Sequence, residues 1–280
     1  AAVAAGSQLR LLMTGWFYWT DASVNVAAAR DPRFEFVPPI LQVPDGQGGW
    51  RALGPPVGFP AGKTKTMVLD VTGALDAGDP RLRVFTTLRL YWDSIRLSTT
   101  PVTVPLATRS LEPQSAELWR RGFSAPLRDG SEHQPERFVW EQLAEHPRWN
   151  PHPGRYTRLG ECLPLLQAID DRFVIMATGD ALTVRFDATA LPPLPDGWRR
   201  DFLVFLDGWA KDRDPNTVEA LYVEPLPFHG MSAYPYGPGE RFPDTEEHRR
   251  WRREWNTRDA EPWIPFQAPE GSPFPTPPAR

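Results

Sequence analysis

Cysteine and lysine are scarce in this chain of 280 residues. The single cysteine, Cys162, excludes an intrachain disulfide. Only three lysines occur among the 31 basic residues, and the formal net charge is −4. A charge so close to neutral argues against a dedicated nucleic-acid-binding protein, which carries a clear basic excess. Long apolar runs are also missing, since no stretch of 18 apolar residues is present, and we therefore expect no membrane-spanning helix.

Proline, by contrast, is abundant, with 33 residues, and the chain also has 12 tryptophans. Proline at this density interrupts long helices and favours turns and extended segments, so a helical bundle is excluded. The hydrophobic fraction of 41% and the charged fraction of 24% are typical of a folded globular protein. The first seven residues have neither a charged region nor an apolar core, so we do not expect an intact signal peptide there.

The first third of the chain has the period-two pattern of β-strands. Leu9, Leu11 and Met13 fall at alternate positions, and residues 81–92 show the longest alternation. Such spacing places one face of a strand on a core and the other towards solvent or a second layer. Clusters of Gly, Asp and Pro separate the candidate strands and indicate turns. We predict a mainly β fold in which residues 1–105 form an antiparallel, jelly-roll-like β-sandwich.

A second β-rich portion is predicted over residues 159–228. Phe173–Ala177 and Leu182–Asp187 flank a short turn segment, which predicts a β-hairpin. Phe202–Leu206 is apolar at all five positions, a pattern that predicts a strand buried on both faces. The sequence leaves open whether this portion shares one core with the N-terminal sandwich.

Proline-rich segments are predicted to connect and wrap these two portions. Residues 106–158 are expected to form an irregular connector with one short helix over Pro135–His146. Residues 229–280 are expected to form a tail with one amphipathic helix at 244–256, capped by Asp244, and a proline-rich C-terminus that runs extended over a surface.

Several segments in a fixed order carry a family resemblance. They are Leu11–Trp16, Thr20–Ala27, Gly58–Thr66, Leu90–Asp93, Asp171–Val174, Phe205–Asp212 and Pro227–Tyr236. Together they resemble the C-terminal region of large bacterial proteins with FG-GAP repeats and ASPIC/UnbV domains, or with tetratricopeptide repeats. The resemblance implies an exported, non-catalytic protein, periplasmic or extracellular, that serves adhesion or assembly. This chain departs from the pattern because it has neither FG-GAP calcium loops nor a tetratricopeptide period, so no calcium role of such repeats is carried over.

Acidic residues after Phe202–Leu206 form a candidate metal site. Asp207, Asp212 and Asp214 lie close together, and carboxylate oxygens are the ligands that Ca²⁺ prefers. The spacing does not match an EF-hand, and ordinary turn formation explains the same residues. A hydrolase that uses Asp207 and Asp212 is a further alternative. Cys162 lies in an apolar run, which favours a buried, inert thiol over a catalytic one.

Aromatic and basic residues form candidate partner-binding surfaces. Trp16 and Trp19 follow a strand, where they would stack on sugars, anchor a partner or close the end of the core. Arg249, Arg250 and Arg253 form a basic stripe on the terminal helix. This stripe would bind an acidic partner or a membrane surface, or else form solvated i,i+4 ion pairs, Glu246–Arg250 and Glu254–Arg258.

We therefore expect a non-catalytic, extracytoplasmic binding or scaffold module, an extrinsic subunit of a larger envelope or membrane-associated complex. Its expected partners are other protein subunits, with peripheral membrane association as an option. No nucleic acid and no cofactor is expected. The alternative is a carbohydrate-binding β-sandwich module that uses its aromatic residues as a platform.

Overall fold

The computed structural model describes residues 8–17, 22–61, 63–99, 105–127, 137–147, 151–211 and 220–259. In this part of the chain the fold is mainly β, with antiparallel sheets and two α-helices, so the predicted fold class is confirmed. Neither of these helices has the length and apolar character needed to cross a membrane. The chain divides into two compact units: unit 1 is Ala1–Ala107 with Pro126–Phe138, and unit 2 is Thr108–Ala125 with Val139–Arg280.

Unit 1 is built from two three-stranded antiparallel sheets. Its elements are β1 (Arg10–Phe17), α1 (Ala22–Arg30), β2 (Ile40–Pro44), β3 (Trp50–Ala52), β4 (Lys65–Asp70), β5 (Arg83–Phe85) and β6 (Leu90–Ser98). One sheet has the order β4-β1-β6 and the other has the order β3-β2-β5. The predicted single alternation over 81–92 is thus divided between two strands that belong to different sheets.

Alternation along β1 and the residue just before it, Leu9, produces the core of unit 1. Leu9, Leu11 and Met13 are buried, as the period-two pattern predicts, and they pack with Leu41 and Val71. The side chains between them lie on the opposite face of β1, which is less buried. Trp16 belongs to this second face, and its position there is the basis of one candidate site.

The strands that follow begin with β7 (Pro113–Arg120), β8 (Phe123–Leu127), β9 (Arg137–Ala144), β10 (Arg155–Tyr156) and β11 (Gly160–Glu161). β12 (Asp180–Phe186), α2 (Glu246–Glu254) and β13 (Arg258–Asp259) complete the described elements. β7 is the centre of a sheet with the order β11-β7-β12, β10 pairs with β13, and β8 pairs with β9. The prediction of an irregular connector over 106–158 is wrong for these strands, and the helix predicted at Pro135–His146 is replaced by β9.

The predicted hairpin of Phe173–Ala177 with Leu182–Asp187 is also wrong. Only the second segment forms a strand, β12, and its partner is β7, which lies far earlier in the sequence. The 173–177 segment instead lies against the main core of unit 2. Packing against this core requires apolar side chains, and the segment therefore has the same apolar composition as a buried strand.

An aromatic core occupies the centre of unit 2. Its buried members are Tyr156, Leu165, Val223, Leu226, Phe228, Phe242 and Trp251. The ring of Trp251 stacks on Phe242 with centroids 6.1 Å apart, and its indole N–H donates a 3.1 Å hydrogen bond to the carbonyl oxygen of Phe173. The apolar surface of Trp251 is therefore buried, and its single hydrogen-bond donor has a partner.

The helix α2 lies where the pattern predicts it, but its cap differs. Thr245, not Asp244, is the N-cap residue, and its hydroxyl accepts a hydrogen bond from the backbone N–H of His248. The expected Glu254–Arg258 pair does not form. Arg258 instead donates from both terminal nitrogens to the fully buried carboxylate of Asp180, which ties the end of the described chain to β12.

We predict that Leu118→Ala lowers the free energy of unfolding by about 2–5 kcal/mol, because Leu118 is completely buried and its truncation leaves a cavity. The matched control is Leu106→Ala, since Leu106 is 84% exposed and should change stability by less than about 0.5 kcal/mol. Urea unfolding followed by tryptophan fluorescence measures both. Equal effects of the two substitutions would contradict the assigned core.

Candidate functional site

An exposed apolar segment, Phe202–Leu206, is the most unusual surface feature of unit 2. Its five side chains are between 64% and 99% exposed. The segment contains no helix, turn or bend, and its backbone forms no hydrogen bond with another residue that the structure describes. The prediction of a strand buried on both faces is therefore wrong. The apolar pattern is present, but no described part of the chain covers it.

The start of the exposed segment is held by arginine. The Arg200 guanidinium donates a 3.0 Å hydrogen bond to the carbonyl oxygen of Pro192. Its neighbour Arg199 forms a 3.0 Å ion pair with Asp201 on the surface. These contacts restrict the chain immediately before Phe202.

A histidine bridge holds the other end. The Nε2 atom of His229 lies 3.2 Å from a carboxylate oxygen of Asp207, the residue that follows Leu206. Its Nδ1 atom lies 2.9 Å from Asp171, and the same Asp171 oxygen accepts a 2.9 Å bond from the His229 backbone N–H. Because an imidazolium has two N–H donors, the protonated ring can donate to both carboxylates at once.

The two carboxylates raise the pKa of His229 above its ordinary value of 6.5, Asp171 contributing more than Asp207. Partial exposure of the ring to solvent limits the strength of each ion pair. The aromatic core sets the geometry of this bridge. Phe173 and Phe228 belong to that core or pack against it, and they are close in sequence to Asp171 and His229 respectively.

Lys211 forms a second attachment after the exposed segment. Its ammonium group donates to the carbonyl oxygens of Tyr222, Val223 and Pro225 at 3.0, 2.9 and 2.7 Å. Three donors on a compact ammonium suit three converging carbonyls, which a planar guanidinium would match poorly. The Tyr234 hydroxyl donates to the same Pro225 oxygen at 2.8 Å. A lysine at this position, in a chain whose basic residues are nearly all arginine, thus has a structural reason.

Of the three candidate Ca²⁺ ligands, one lies in the part of the chain that the structure describes. Asp207 binds His229, whereas Asp212 and Asp214 lie outside the described residues. Where the structure describes the chain, no three His, Cys, Asp or Glu side chains are grouped so that they could hold a metal. The hydrolase alternative, which needs Asp207 and Asp212 together, stays a prediction.

Most arginines of the basic stripe form ion pairs with acidic residues of α2 or of the segment just before it. Arg249 pairs with Asp244 and Glu246, and Arg253 pairs with Glu246. The predicted Glu246–Arg250 pair does not form, and Arg250 is exposed with no ion pair to any residue for which the structure gives a position. A partner would therefore meet one uncommitted arginine here instead of three.

Trp16 lies at a second candidate site, in unit 1. Its ring stacks on Tyr91, with centroids 5.0 Å apart and planes 15° from parallel. Both rings line an open cleft of about 410 Å³, together with Asp93 and Arg137. Trp16 therefore does not close the end of the core. Trp19 lies outside the described residues.

Cys162 is fully buried, and burial raises the pKa of its thiol. A thiol in this setting stays protonated at neutral pH and is a poor nucleophile. The structure thus agrees with the prediction of an inert core cysteine. It packs with Ala116 and Leu118, which belong to β7.

Comparison with protein-family models, curated proteins and solved structures finds no match to this chain. The resemblance to the C-terminal region of FG-GAP and ASPIC/UnbV proteins therefore stays a prediction.

We predict that Asp207→Asn lowers the pKa of His229 towards 6.5, because one of the two carboxylates that stabilise the imidazolium is removed. Since the pKa of His229 is raised in the folded protein, its contribution to stability is complete below about pH 6.5 and is lost as the pH rises through the folded pKa. NMR titration of the histidine ring measures the pKa, and urea unfolding across that range measures the loss.

Asp187→Asn is the matched control, since the Asp187 carboxylate bonds to Thr189 and not to His229. It should leave the titration of His229 unchanged. A His229 titration that is the same in Asp207→Asn as in the unmodified protein would show that the contact between Asp207 and His229 does not form in solution.

Proposed function

We propose that this chain is a non-catalytic binding or scaffold module, extracytoplasmic in location, that pairs through Phe202–Leu206 with a β-sheet edge of another protein subunit. The observation that carries the proposal is the exposure of five consecutive apolar residues whose backbone is also unpaired within the described chain. Isolated exposed apolar residues are ordinary, but a contiguous run of this kind is typical of interaction surfaces.

Pairing with a sheet edge would satisfy both properties of the segment. Backbone N–H and C=O groups of an extended chain can form a ladder with an exposed edge, as in recognition by strand addition. Side chains at alternate positions, Phe202, Val204 and Leu206, would then lie on one face. Covering each large apolar side chain contributes about 1.5–3 kcal/mol, so a face of three is a substantial part of a binding energy.

The attachments at the two ends support the same function. Arg200 holds the start of the segment, while Asp207 and Lys211 hold the region after it. A segment restricted in this way loses less conformational entropy on binding than a free loop does. The attachments thus favour presentation of the apolar side chains to a partner over their collapse onto the surface.

The cellular setting of the proposal comes from the family resemblance alone. Exported proteins of that type serve adhesion or assembly, which fits an extrinsic subunit of an envelope or membrane-associated complex. The basic residues beside the segment, Arg199, Arg200 and Lys211, are each bonded within the chain, so they contribute little to attraction by an anionic membrane surface and a protein edge is favoured.

We predict that a photo-crosslinking amino acid at position 203 forms adducts with another protein chain in the native complex, because Leu203 is the most exposed residue of the segment. The matched control carries the same amino acid at Leu106, an exposed leucine outside the segment, and should give none. Mass spectrometry of the adducts identifies the residues joined, which should lie in or beside a β-strand.

A variant that introduces a charge tests whether apolar contacts of the segment hold the partner. Val204→Asp should abolish retention of the crosslinked partner while it leaves the unfolding free energy within about 0.5 kcal/mol, since the side chain is mostly exposed. Equal crosslinking at 203 and 106, or retention of the partner by Val204→Asp, would overturn the proposal. Sedimentation with anionic vesicles that depends on Val204 would identify a membrane as the occupant instead and would also overturn it.

A further inference from the structure

A β-bulge shapes the cleft of unit 1. Along the β1–β6 pairing, Thr14 lies opposite Ser94, but Gly15 lies opposite Trp92, so Asp93 is the extra residue of β6. A bulge of this kind bends its strand and redirects the neighbouring side chains, and bulges occur preferentially beside binding and active sites. Here it brings Tyr91 and Asp93 to the same cleft.

Glycine at position 15 makes the bulge sterically possible. A Cβ atom at Gly15 would lie 2.2 Å from the Tyr91 carbonyl oxygen and 2.8 Å from the Trp92 ring. Neither approach is tolerated by a real side chain. The cleft therefore depends on a close backbone contact that only glycine permits, in addition to the aromatic residues on either side of it.

The cleft combines an aromatic surface with polar groups at its edge. Trp16 and Tyr91 form the stacked pair, and Thr64, Asp93 and Arg137 line the remainder. The Asp93 carboxylate is exposed and forms no hydrogen bond or ion pair with any residue in the described ranges, so its acceptor sites face solvent. Carboxylate, hydroxyl and guanidinium groups together offer both donors and acceptors.

We propose that this cleft is a carbohydrate-binding site, separate from the protein-binding segment of unit 2. A pyranose ring has one face rich in C–H groups, which packs on an aromatic ring, and an edge of hydroxyls, which bonds to carboxylate and guanidinium groups. The volume of about 410 Å³ lies within the range of small-ligand sites. An apolar ligand would leave the exposed Asp93 carboxylate without a partner, and the same carboxylate would repel a phosphate.

The test uses the full chain on an array of neutral and uronic-acid oligosaccharides, with sedimentation against insoluble cellulose and peptidoglycan. Binding to the array indicates a soluble glycan as the source of the sugar, and binding to a pellet alone indicates a polymer surface. We expect one of these to occur. Absence of binding in both arms overturns the proposal.

Two variants assign the binding to the cleft. Trp16→Ala removes the stacking face, and Asp93→Asn removes the charge while it keeps the shape, so the second variant stays informative if the first fails to fold. Each should weaken binding about tenfold or more. The control Trp198→Ala removes a partly exposed tryptophan of unit 2 and should leave binding unchanged. Unaltered binding by both cleft variants would refute the site.

Discussion

Burial of the aromatic core around Trp251 is the packing interaction that fixes where the exposed segment Phe202–Leu206 is held in unit 2. The indole donates to the carbonyl of Phe173, and the phenyl ring of Phe228 is buried in the same cluster. Asp171 and His229 lie beside these two residues in sequence, so packing of the core sets the distance between them. The resulting bridge extends to Asp207 and thereby to the end of the exposed segment. Apolar packing in the interior thus determines where a surface segment is held.

Sequence patterns correctly predicted the strands and helices in which one face is buried and the other is exposed. The alternation of Leu9, Leu11 and Met13 describes β1 correctly because one face of that strand covers the core of unit 1. The amphipathic pattern of α2 is equally informative, since Trp251 faces the core as predicted. The exact cap was not predictable, because Asp244 and Thr245 are both good capping residues and adjacent.

The burial of a segment could not be predicted where the same sequence pattern occurs in both covered and exposed segments. An apolar run such as Phe202–Leu206 has one composition whether its cover comes from the same chain or from a partner. The two candidate sites were also only partly visible in the sequence. Trp16 could be named from its aromatic neighbours, but the Asp93 bulge is a property of pairing between strands. The His229 bridge joins residues 58 and 22 positions apart, and the role of Lys211 depends on carbonyl groups that only the folded chain brings together.

Unit 2 presents an apolar segment, Phe202–Leu206, that is held at both ends and whose backbone forms no hydrogen bond with a residue that the structure describes. Hydrogen–deuterium exchange of the isolated protein measures this pairing, because exchange rates report whether an amide is hydrogen-bonded and protected. We expect rapid exchange at Phe202–Leu206 and slow exchange at Leu118 in the central strand β7. Protection of Phe202–Leu206 equal to that of β7 would show that the segment is already covered and is not available to a partner.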